Sequence, residues 1–465
     1  MTAFNRATKV AGLLAISLGA GACSDFLTGP GLNQNPNSPT VATATQLFIA
    51  AQGQAFVRQE GQLARTAGMF VQQISGTNNQ QLNWGSQYLG GESDYSGQFA
   101  GFYTGGGLVD WRQIQLKADT LADAQFKGIA QVWEAFQMGT AASIWGDIPY
   151  REAVAGVPQP KLDPQQQVYA DLQALLSTAI TNLGGAGPGP GNADLVYGGN
   201  TGRWIRAAHT LKARYHLHTA ERLGNAAYTA ALAEAQLGIN EAPANPADAM
   251  AGQGVGDFRA FHGSVLEQSN LWSQFLNARQ DINAGNLFIQ TLIARSDPRL
   301  PVYFNTASGT SVYRGANQFG QPVGGAPSSE VGTARRAAAY RQPFVTWAEN
   351  QLIMAEAKFK LGDATAINHL NAVRTSVGLA ALPGPITLAD IMTEKWIVMF
   401  QNIEAWNDYK RTCIPVLTPG GSPPAAAIPG RIHYGSAERL NNPNVPTPTL
   451  QPARNWNDPT PCTGS

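Results

Sequence analysis

The chain has 465 residues, of which 31 are basic and 31 acidic, so its formal net charge at neutral pH is zero. This balance gives no electrostatic reason to expect nucleic acid or an acidic membrane surface as a partner. Only 13% of the residues are charged, while 10 Trp and 13 Tyr supply flat rings, a composition that suits neutral, hydroxyl-rich ligands better than ions.

The first 22 residues are predicted to be a signal peptide. Arg6 and Lys9 precede an apolar run over 10–22. This run is shorter than the roughly 20 residues that a membrane-spanning helix needs, so residues 1–22 read as a cleaved export signal.

Cys23 is predicted to be a lipidation site, because small residues at 20–22 precede it in the pattern that lipoprotein signal peptidase requires. Two or more acyl chains would then hold the protein to a membrane. The alternative is ordinary secretory cleavage after Ala22, with an unmodified thiol. Residues 23–37 are rich in Gly, Pro and Asn and predict a tether. Residues 38–465 are predicted to form a single domain.

Helical spacing dominates the domain. Ser38 and Pro39 are predicted to begin its first helix, and Asp163 with Pro164 a later one over 165–180. Thr387 with Asp390 resembles a capping box. Further helices are predicted over 109–144, 201–222, 226–238, 345–361, 363–376 and 387–410.

The predicted fold class is mostly α. Two helices joined by a turn at 361–363 suggest a tetratricopeptide-like helical repeat scaffold. Short β pieces are predicted at 301–305 and 310–315. Long irregular regions, which are usually functional in compact proteins, are predicted over 76–108, 184–200, 239–262, 300–342 and 412–465.

The region 78–107 is the best candidate for ligand binding, because aromatic rings alternate there with amides. Sugar rings stack their C–H faces on aromatic rings, and amides pair with ring hydroxyls. The alternative is that these rings pack on the scaffold. The candidate residues are Asn79, Gln80, Asn83, Trp84, Tyr88, Tyr95, Phe102 and Tyr103, with Trp272 from a later irregular region.

Motifs for catalysis are scarce: the chain has no Gly-Lys dipeptide, no Cys-x-x-Cys, no Gly-x-Ser-x-Gly and no His-Glu-x-x-His. We therefore expect no enzyme activity, no cofactor and no metal. His209 and His216 share a helical face but lack an evident third ligand. Glu92 and Asp94 leave open a rival function, a surface glycoside hydrolase on a helical scaffold.

Two sets of residues are expected to stabilise the C-terminal part. Cys413 and Cys462 are candidates for a disulfide, as expected of an exported protein. Arg411 is predicted to form an ion pair with Glu404 or Asp408, which lie seven and three residues before it on one helix.

Five blocks of sequence, in order, resemble the SusD/RagB family of nutrient-binding outer-membrane lipoproteins. The first two are NPNSPT at 35–40 and WGDIPYREA at 145–153. The others are the stretches 203–220, 340–379 and 393–415, so the resemblance runs from end to end.

The resemblance implies a binding function without catalysis. Members of this family sit on a SusC-like TonB-dependent transporter, where they trap an oligosaccharide or peptide and deliver it to the transporter. The expected location is the cell outer membrane, with a lipid anchor and an exterior-facing domain. A third hypothesis is an assembly scaffold that binds no ligand and uses the helical repeats to hold another protein.

Overall fold

The computed structural model describes residues 42–421 and 423–463. The predicted signal peptide, Cys23, the tether and the Ser38 cap lie outside these residues. The chain from Leu47 onward forms one compact unit. No helix in the described part is both long enough and apolar enough to cross a membrane.

Helices make up most of the described chain, which confirms the predicted fold class. Their bounds are α1 Ala44–Glu60, α2 Gln62–Phe70, α3 Asn79–Gln81, α4 Glu92–Gly101, α5 Leu108–Thr120, α6 Ala124–Trp145, α7 Gln165–Leu183, α8 Thr201–His218, α9 Ala220–Leu223, α10 Asn225–Ala235, α11 Pro246–Ala251, α12 Leu271–Ala278, α13 Asn286–Ala294, α14 Leu300–Tyr303, α15 Trp347–Lys360, α16 Ala366–Ser376, α17 Leu388–Val398, α18 Glu404–Thr412 and α19 Ser436–Asn441. A π-helix spans Leu82–Ser86, and 3₁₀ turns span Gly191–Ala193, Leu266–Gln268 and Pro448–Leu450.

Four short strands form two small antiparallel sheets in the described chain: β1 Ile74–Gly76, β2 Phe258–Arg259, β3 Ile282–Ala284 and β4 Pro343–Val345. In the first sheet, β1 pairs with β3 so that Ile74 lies opposite Ala284. In the second, β2 pairs with β4 so that Phe258 lies opposite Val345. The first sheet joins the segment after α2 to the segment that leads into α13.

The scaffold is a succession of neighbouring helices. α5 packs on α6, α6 on α7, α7 on α8, α8 on α10, α10 on α15, and α15 on both α16 and α17. This neighbour-to-neighbour packing confirms the predicted helical repeat. α6 is its most deeply buried member and carries Trp133 and Trp145, both no more than 1% exposed.

Local signals set the helix boundaries. The stretch predicted as one helix over 109–144 is two helices, because Ala122 takes a left-handed φ of 52° and Asp123 then caps α6 by accepting from the Phe126 N–H. The stretch over 387–410 is also two helices, and Gln401 between them has a φ of 67°. The Thr387 capping box is confirmed.

Three predictions of irregular or β structure were wrong. The region 76–108 contains α4 and the π-helix, so its rings are partly ordered by helical spacing. Residues 301–305, predicted as a β piece, lie mostly in α14, where Pro301 takes an early helical position that needs no N–H donor. Residues 310–315 form no strand.

The predicted ion pair of Arg411 is formed with Asp408, one of its two candidate partners. Arg411 Nη2 lies 2.6 Å from Asp408 Oδ1 and also binds Glu356 of α15. Glu404, the other candidate, accepts from His218 Nε2 at 2.8 Å instead. Each charge is thus satisfied across helices, which fixes how α8, α15 and α18 pack.

Cys413 and Cys462 are joined by a disulfide, with sulfur atoms 2.06 Å apart and Cα atoms 5.2 Å apart. Cys413 follows α18, whereas Cys462 lies 49 residues further along the chain. In the chain-entropy model, closing a loop of this length contributes roughly 4 kcal/mol to stability. The bond therefore holds the C-terminal segment onto the helical scaffold.

Candidate functional site

The segment 72–90 concentrates unusual backbone conformations. Gln72, Asn79 and Tyr88 have left-handed φ values of 57°, 50° and 58°, and are three of the eight such non-glycine residues in the described chain. The π-helix Leu82–Ser86 lies among them. Because strained residues and π-helical turns gather at functional sites, this segment is the starting point for a candidate site.

Hydrogen bonds to distant parts of the chain hold this segment in place. Gln72 Nε2 donates to the Thr418 carbonyl at 2.5 Å, and the Tyr88 hydroxyl accepts from the Gly420 N–H at 2.9 Å. Ser86 Oγ donates to the Gly76 carbonyl at 2.9 Å. Burial raises the pKa of Tyr88 to about 12, so its hydroxyl stays protonated in neutral solution.

One side of the segment borders a cleft of about 230 Å³, which we call the amide cleft. Its walls come from α2, β1, the π-helix, the start of α13 and the segments 316–318 and 416–418. No charged side chain lines it. Its amide side chains are Gln72, Asn286, Gln290, Asn317 and Gln318, and its aliphatic or thioether side chains are Met69, Ile74, Leu287, Ala316 and Val416.

Most of the amides in this cleft are available to a ligand. Among the described residues, the side chains of Asn286, Gln290 and Gln318 have no hydrogen-bond partner, whereas Gln72 binds Thr418 and Asn317 binds the turn that follows it. Free amides offer both a donor and an acceptor. The cleft therefore presents neutral hydrogen-bonding groups beside an aliphatic wall.

Two glycines allow the walls of the amide cleft to meet. A Cβ on Gly285 would lie 2.0 Å from the Gln72 carbonyl oxygen, and a Cβ on Gly85 would lie 2.2 Å from Met69 Sδ. Only residues without a side chain permit contacts this close. Glycine at these two positions thus lets the segment 72–90 pack closely against Met69 and against the start of α13.

The other side of the segment borders a smaller cleft of about 100 Å³, which we call the aromatic cleft. Trp84 and Tyr88 line it and are half-buried. The Trp84 ring lies 6.4 Å from that of Tyr95, and the Tyr88 ring packs edge-on at 5.5 Å from Phe70. The opposite wall is the segment 429–433.

The structure separates the predicted ligand residues into groups. Trp84, Tyr88 and the buried Tyr95 line the aromatic cleft, whereas Asn79, Gln80 and Asn83 are exposed on the segment 72–90, which contributes residues to both clefts. The Asn79 amide already donates to Asp281 Oδ1 at 2.8 Å. Tyr103 is half-buried, lines neither cleft and packs 5.3 Å from Phe99.

Three of the predicted stacking rings are buried, so that prediction is corrected. Tyr95 is 2% exposed, and Phe102 and Trp272 are 0% exposed. α4 turns Tyr95 and the neighbouring Phe99 to one face, and Phe99 and Phe102 pack 5.1 and 5.6 Å from Trp145. Trp272 is buried on α12. Phe102 and Trp272 have no free face for a sugar, whereas Tyr95 lines the aromatic cleft but exposes only 2% of its surface.

The carboxylates considered for glycoside hydrolysis have structural roles. Glu92 accepts from Arg439 Nε at 2.7 Å, and Asp94 accepts from the Gly91 N–H at the start of α4. Neither the amide cleft nor the aromatic cleft has an Asp or Glu in its lining. The described chain contains no cluster of His, Cys, Asp and Glu suited to a metal, and His209 instead binds Glu234.

The amides of the amide cleft were missed from the sequence. Gln72 lies just before a strand, whereas Asn286 and Gln290 lie on a helix whose other face is apolar. The one available signal was the amide-rich stretch at 317–321 inside a predicted irregular region. Nothing in its spacing linked that stretch to residues 72–90.

Comparison with known proteins identifies the family to which this fold belongs. The profile of the SusD-like family, described as starch-binding and associating with the outer membrane, matches residues 36–435. A search of curated proteins gave no match.

Solved structures share the fold at low sequence identity. A protein described as a chitin-binding protein has 22% identity and a TM-score of 0.71, covering 90% of this chain and 98% of its own. A chitin-binding SusD homolog from Flavobacterium johnsoniae has 18% identity and a TM-score of 0.72, covering 89% and 97%. A SusD/RagB family protein from Bacteroides thetaiotaomicron has 20% identity and a TM-score of 0.69, covering 87% and 95%. With a family profile that matches residues 36–435 and a fold that solved members share over 87–90% of the chain, this chain belongs to the SusD-like family, as its sequence blocks predicted.

Proposed function

We propose that this protein is a surface-exposed lipoprotein that binds neutral oligosaccharides and delivers them to a TonB-dependent transporter in the outer membrane. The family's description as starch-binding and outer-membrane-associated supports this proposal, as does the chitin-binding description of two structures with the same fold. It acts by binding alone and changes no covalent bond of its ligand.

The observation that carries the proposal is that the segment 72–90, with its left-handed residues, lines two different clefts. The amide cleft offers unpartnered neutral amides, and the aromatic cleft offers the half-buried rings of Trp84 and Tyr88. Amides match ring hydroxyls, and aromatic faces match sugar C–H faces. A carboxylate, which hydrolysis requires, lines neither cleft.

A calorimetric screen of the purified protein tests the ligand class. We expect saturable binding of at least one neutral oligosaccharide among gluco-, xylo-, manno- and chito-oligosaccharides. Charged peptides and uronic acid oligomers are expected to bind more weakly, because the amide cleft has no charge to pair with theirs, and Arg431 of the aromatic cleft already donates to the Trp145 and Pro452 carbonyls. Binding of peptides alone, or release of new reducing ends from a bound glycan, would contradict the proposal.

The lipid anchor is tested separately by labelling cells with radioactive palmitate. We expect the wild-type protein to incorporate label and to fractionate with the outer membrane, and Cys23→Ala to do neither. The small residues before Cys23 support lipidation at this position. Acyl chains would then hold the protein to the membrane, because each buried methylene contributes about 0.8 kcal/mol. Cys413→Ala with Cys462→Ala is the matched control, because it removes the other two cysteines and should leave the label in place. A β-barrel transporter is expected to co-purify with the anchored protein.

A further inference from the structure

We propose that the amide cleft is a subsite for the acetamido group of an N-acetylated hexosamine unit. This inference rests on the proposed function and narrows its ligand class. It is carried by the chemistry of the cleft walls and by the hydrogen-bonding groups that the fold leaves unpaired there.

The cleft walls match a group that is part amide and part methyl. No aromatic ring lines the amide cleft, so a sugar ring cannot stack within it. Met69, Ile74 and Leu287 instead form an aliphatic and thioether wall beside the amides. A sugar that carries only hydroxyl groups would leave this wall in contact with water or with polar groups. The methyl of an acetamido group would instead bury apolar surface against it.

The unpaired amides match the rest of the acetamido group. Asn286 and Gln290 lie four residues apart at the start of α13, and neither side chain has a hydrogen-bond partner among the described residues. An acetamido group carries one N–H donor and one carbonyl acceptor, and a side-chain amide can satisfy both. Asn286 is half-buried and Gln290 is exposed, so a ligand in the cleft can reach both amides without breaking a hydrogen bond within the protein.

The cleft lining has no charged side chain, which favours an N-acetylated hexosamine over a deacetylated amino sugar. A deacetylated amino sugar would bring an ammonium group into a cleft with no carboxylate to pair with it. An unmodified hexose would place a hydroxyl group, instead of the acetamido methyl group, against the aliphatic and thioether wall. At about 230 Å³, the cleft is smaller than the pockets of roughly 300–1,000 Å³ that hold drug-sized ligands. It therefore suits one substituent or sugar unit of a longer chain.

The aromatic cleft supports the same placement. Ser86 lines the amide cleft, while Trp84 and Tyr88 on either side of it in sequence line the aromatic cleft. A glycan that follows this segment meets an amide-lined subsite and a ring-lined subsite in succession. A peptide also carries amides, but it gains less from the Trp84 face, so the observations favour the glycan.

The test compares chitotetraose with cellotetraose, which share a β-1,4-linked backbone and differ in the acetamido group. By isothermal calorimetry we expect chitotetraose to bind roughly tenfold tighter or more, the effect of one or two net hydrogen bonds with the methyl burial. Gln290→Met and Asn286→Leu keep side-chain size and should lower the affinity for chitotetraose more than that for cellotetraose, which reduces the preference. Gln236→Met, on an exposed helix end outside both clefts, is the matched control.

The outcomes distinguish this inference from the proposed function. Equal affinities, tighter binding of cellotetraose or no binding of chitotetraose would overturn the acetamido subsite. Cellotetraose or another neutral oligosaccharide binding in those cases would leave the glycan-binding function standing. Binding of peptides only would overturn both. Circular dichroism of each variant shows whether the fold is retained, and the unpaired side chains of Asn286 and Gln290 give no reason for it to change.

Discussion

We expect the Arg214→Met variant to lose about 3–5 kcal/mol of its free energy of unfolding, because it leaves a buried carboxylate without its cation. Arg214 Nε and Nη2 donate to the two oxygens of Glu349, both at 2.6 Å. The Glu349 side chain is 0% exposed and that of Arg214 is 5% exposed. Water cannot replace the lost partner at this depth.

The surrounding network makes the loss larger than that of one pair. Arg214 Nη2 also donates to the Phe344 carbonyl at 2.7 Å, and Glu404 lies 3.9 Å from Arg214 Nε. Burial lowers the pKa of Arg214, but the carboxylates of Glu349 and Glu404 more than offset this and hold it above its usual value. The guanidinium is therefore charged at every pH at which the protein is folded, and α8, α15 and α18 depend on it together.

Two matched variants isolate the cause. Arg151 makes a similar two-oxygen contact with Asp171, but its side chain is 52% exposed, so Arg151→Met should cost far less stability than Arg214→Met. The double variant Arg214→Met with Glu349→Met removes both buried charges and should recover part of the loss. Urea unfolding followed by circular dichroism measures each value. A cost for Arg214→Met no larger than that for Arg151→Met would contradict the argument.

The scaffold was predictable because its signals are local. Val168, Leu172 and Leu176 recur at helical spacing after Pro164, and all three side chains are buried in α7. Thr387 and Asp390 lie close enough in sequence to define a helix start by themselves. Each of these patterns needs only a few consecutive residues to act, so the sequence contains the information directly.

α4 was misread although its signal was present. Gly97 and Gly101 made 76–108 look irregular, yet Tyr95 and Phe99 lie four residues apart and Asp94 stands in the first turn, where it binds the Gly91 N–H. The spacing of these rings indicated a buried helical face. Interpreting this stretch as a ligand surface led to the assignment of Tyr95 and Phe102, whose rings are buried.

The clefts could not be predicted because they join residues that are far apart in sequence. Gln72 meets Thr418, and Ser75 meets the Asn317 carbonyl at 2.8 Å, across hundreds of residues. The left-handed conformations of Gln72 and Tyr88 arise from these tertiary contacts, since neither residue type favours positive φ. No spacing rule connects such positions.

The second large effect is expected in binding, where Trp84→Ala should weaken the affinity for a neutral oligosaccharide by about 2 kcal/mol, or roughly thirtyfold. Trp84 is half-buried and lines the aromatic cleft, so part of its ring remains open to a ligand. Burying a sugar face on that ring removes apolar surface from water, and alanine cannot provide the same area. Calorimetry with the oligosaccharide identified in the ligand screen measures the change.

Two further tryptophan variants show whether stacking is the cause. Trp456 is also half-buried but lines neither the amide cleft nor the aromatic cleft, so Trp456→Ala should leave the affinity unchanged. Trp84→Phe keeps a smaller ring and should retain an affinity between those of Trp84→Ala and the wild type. An unchanged affinity in Trp84→Ala, or an equal loss in Trp456→Ala, would move the ligand away from the aromatic cleft. A graded loss from Trp through Phe to Ala means that ring area determines the affinity at this position.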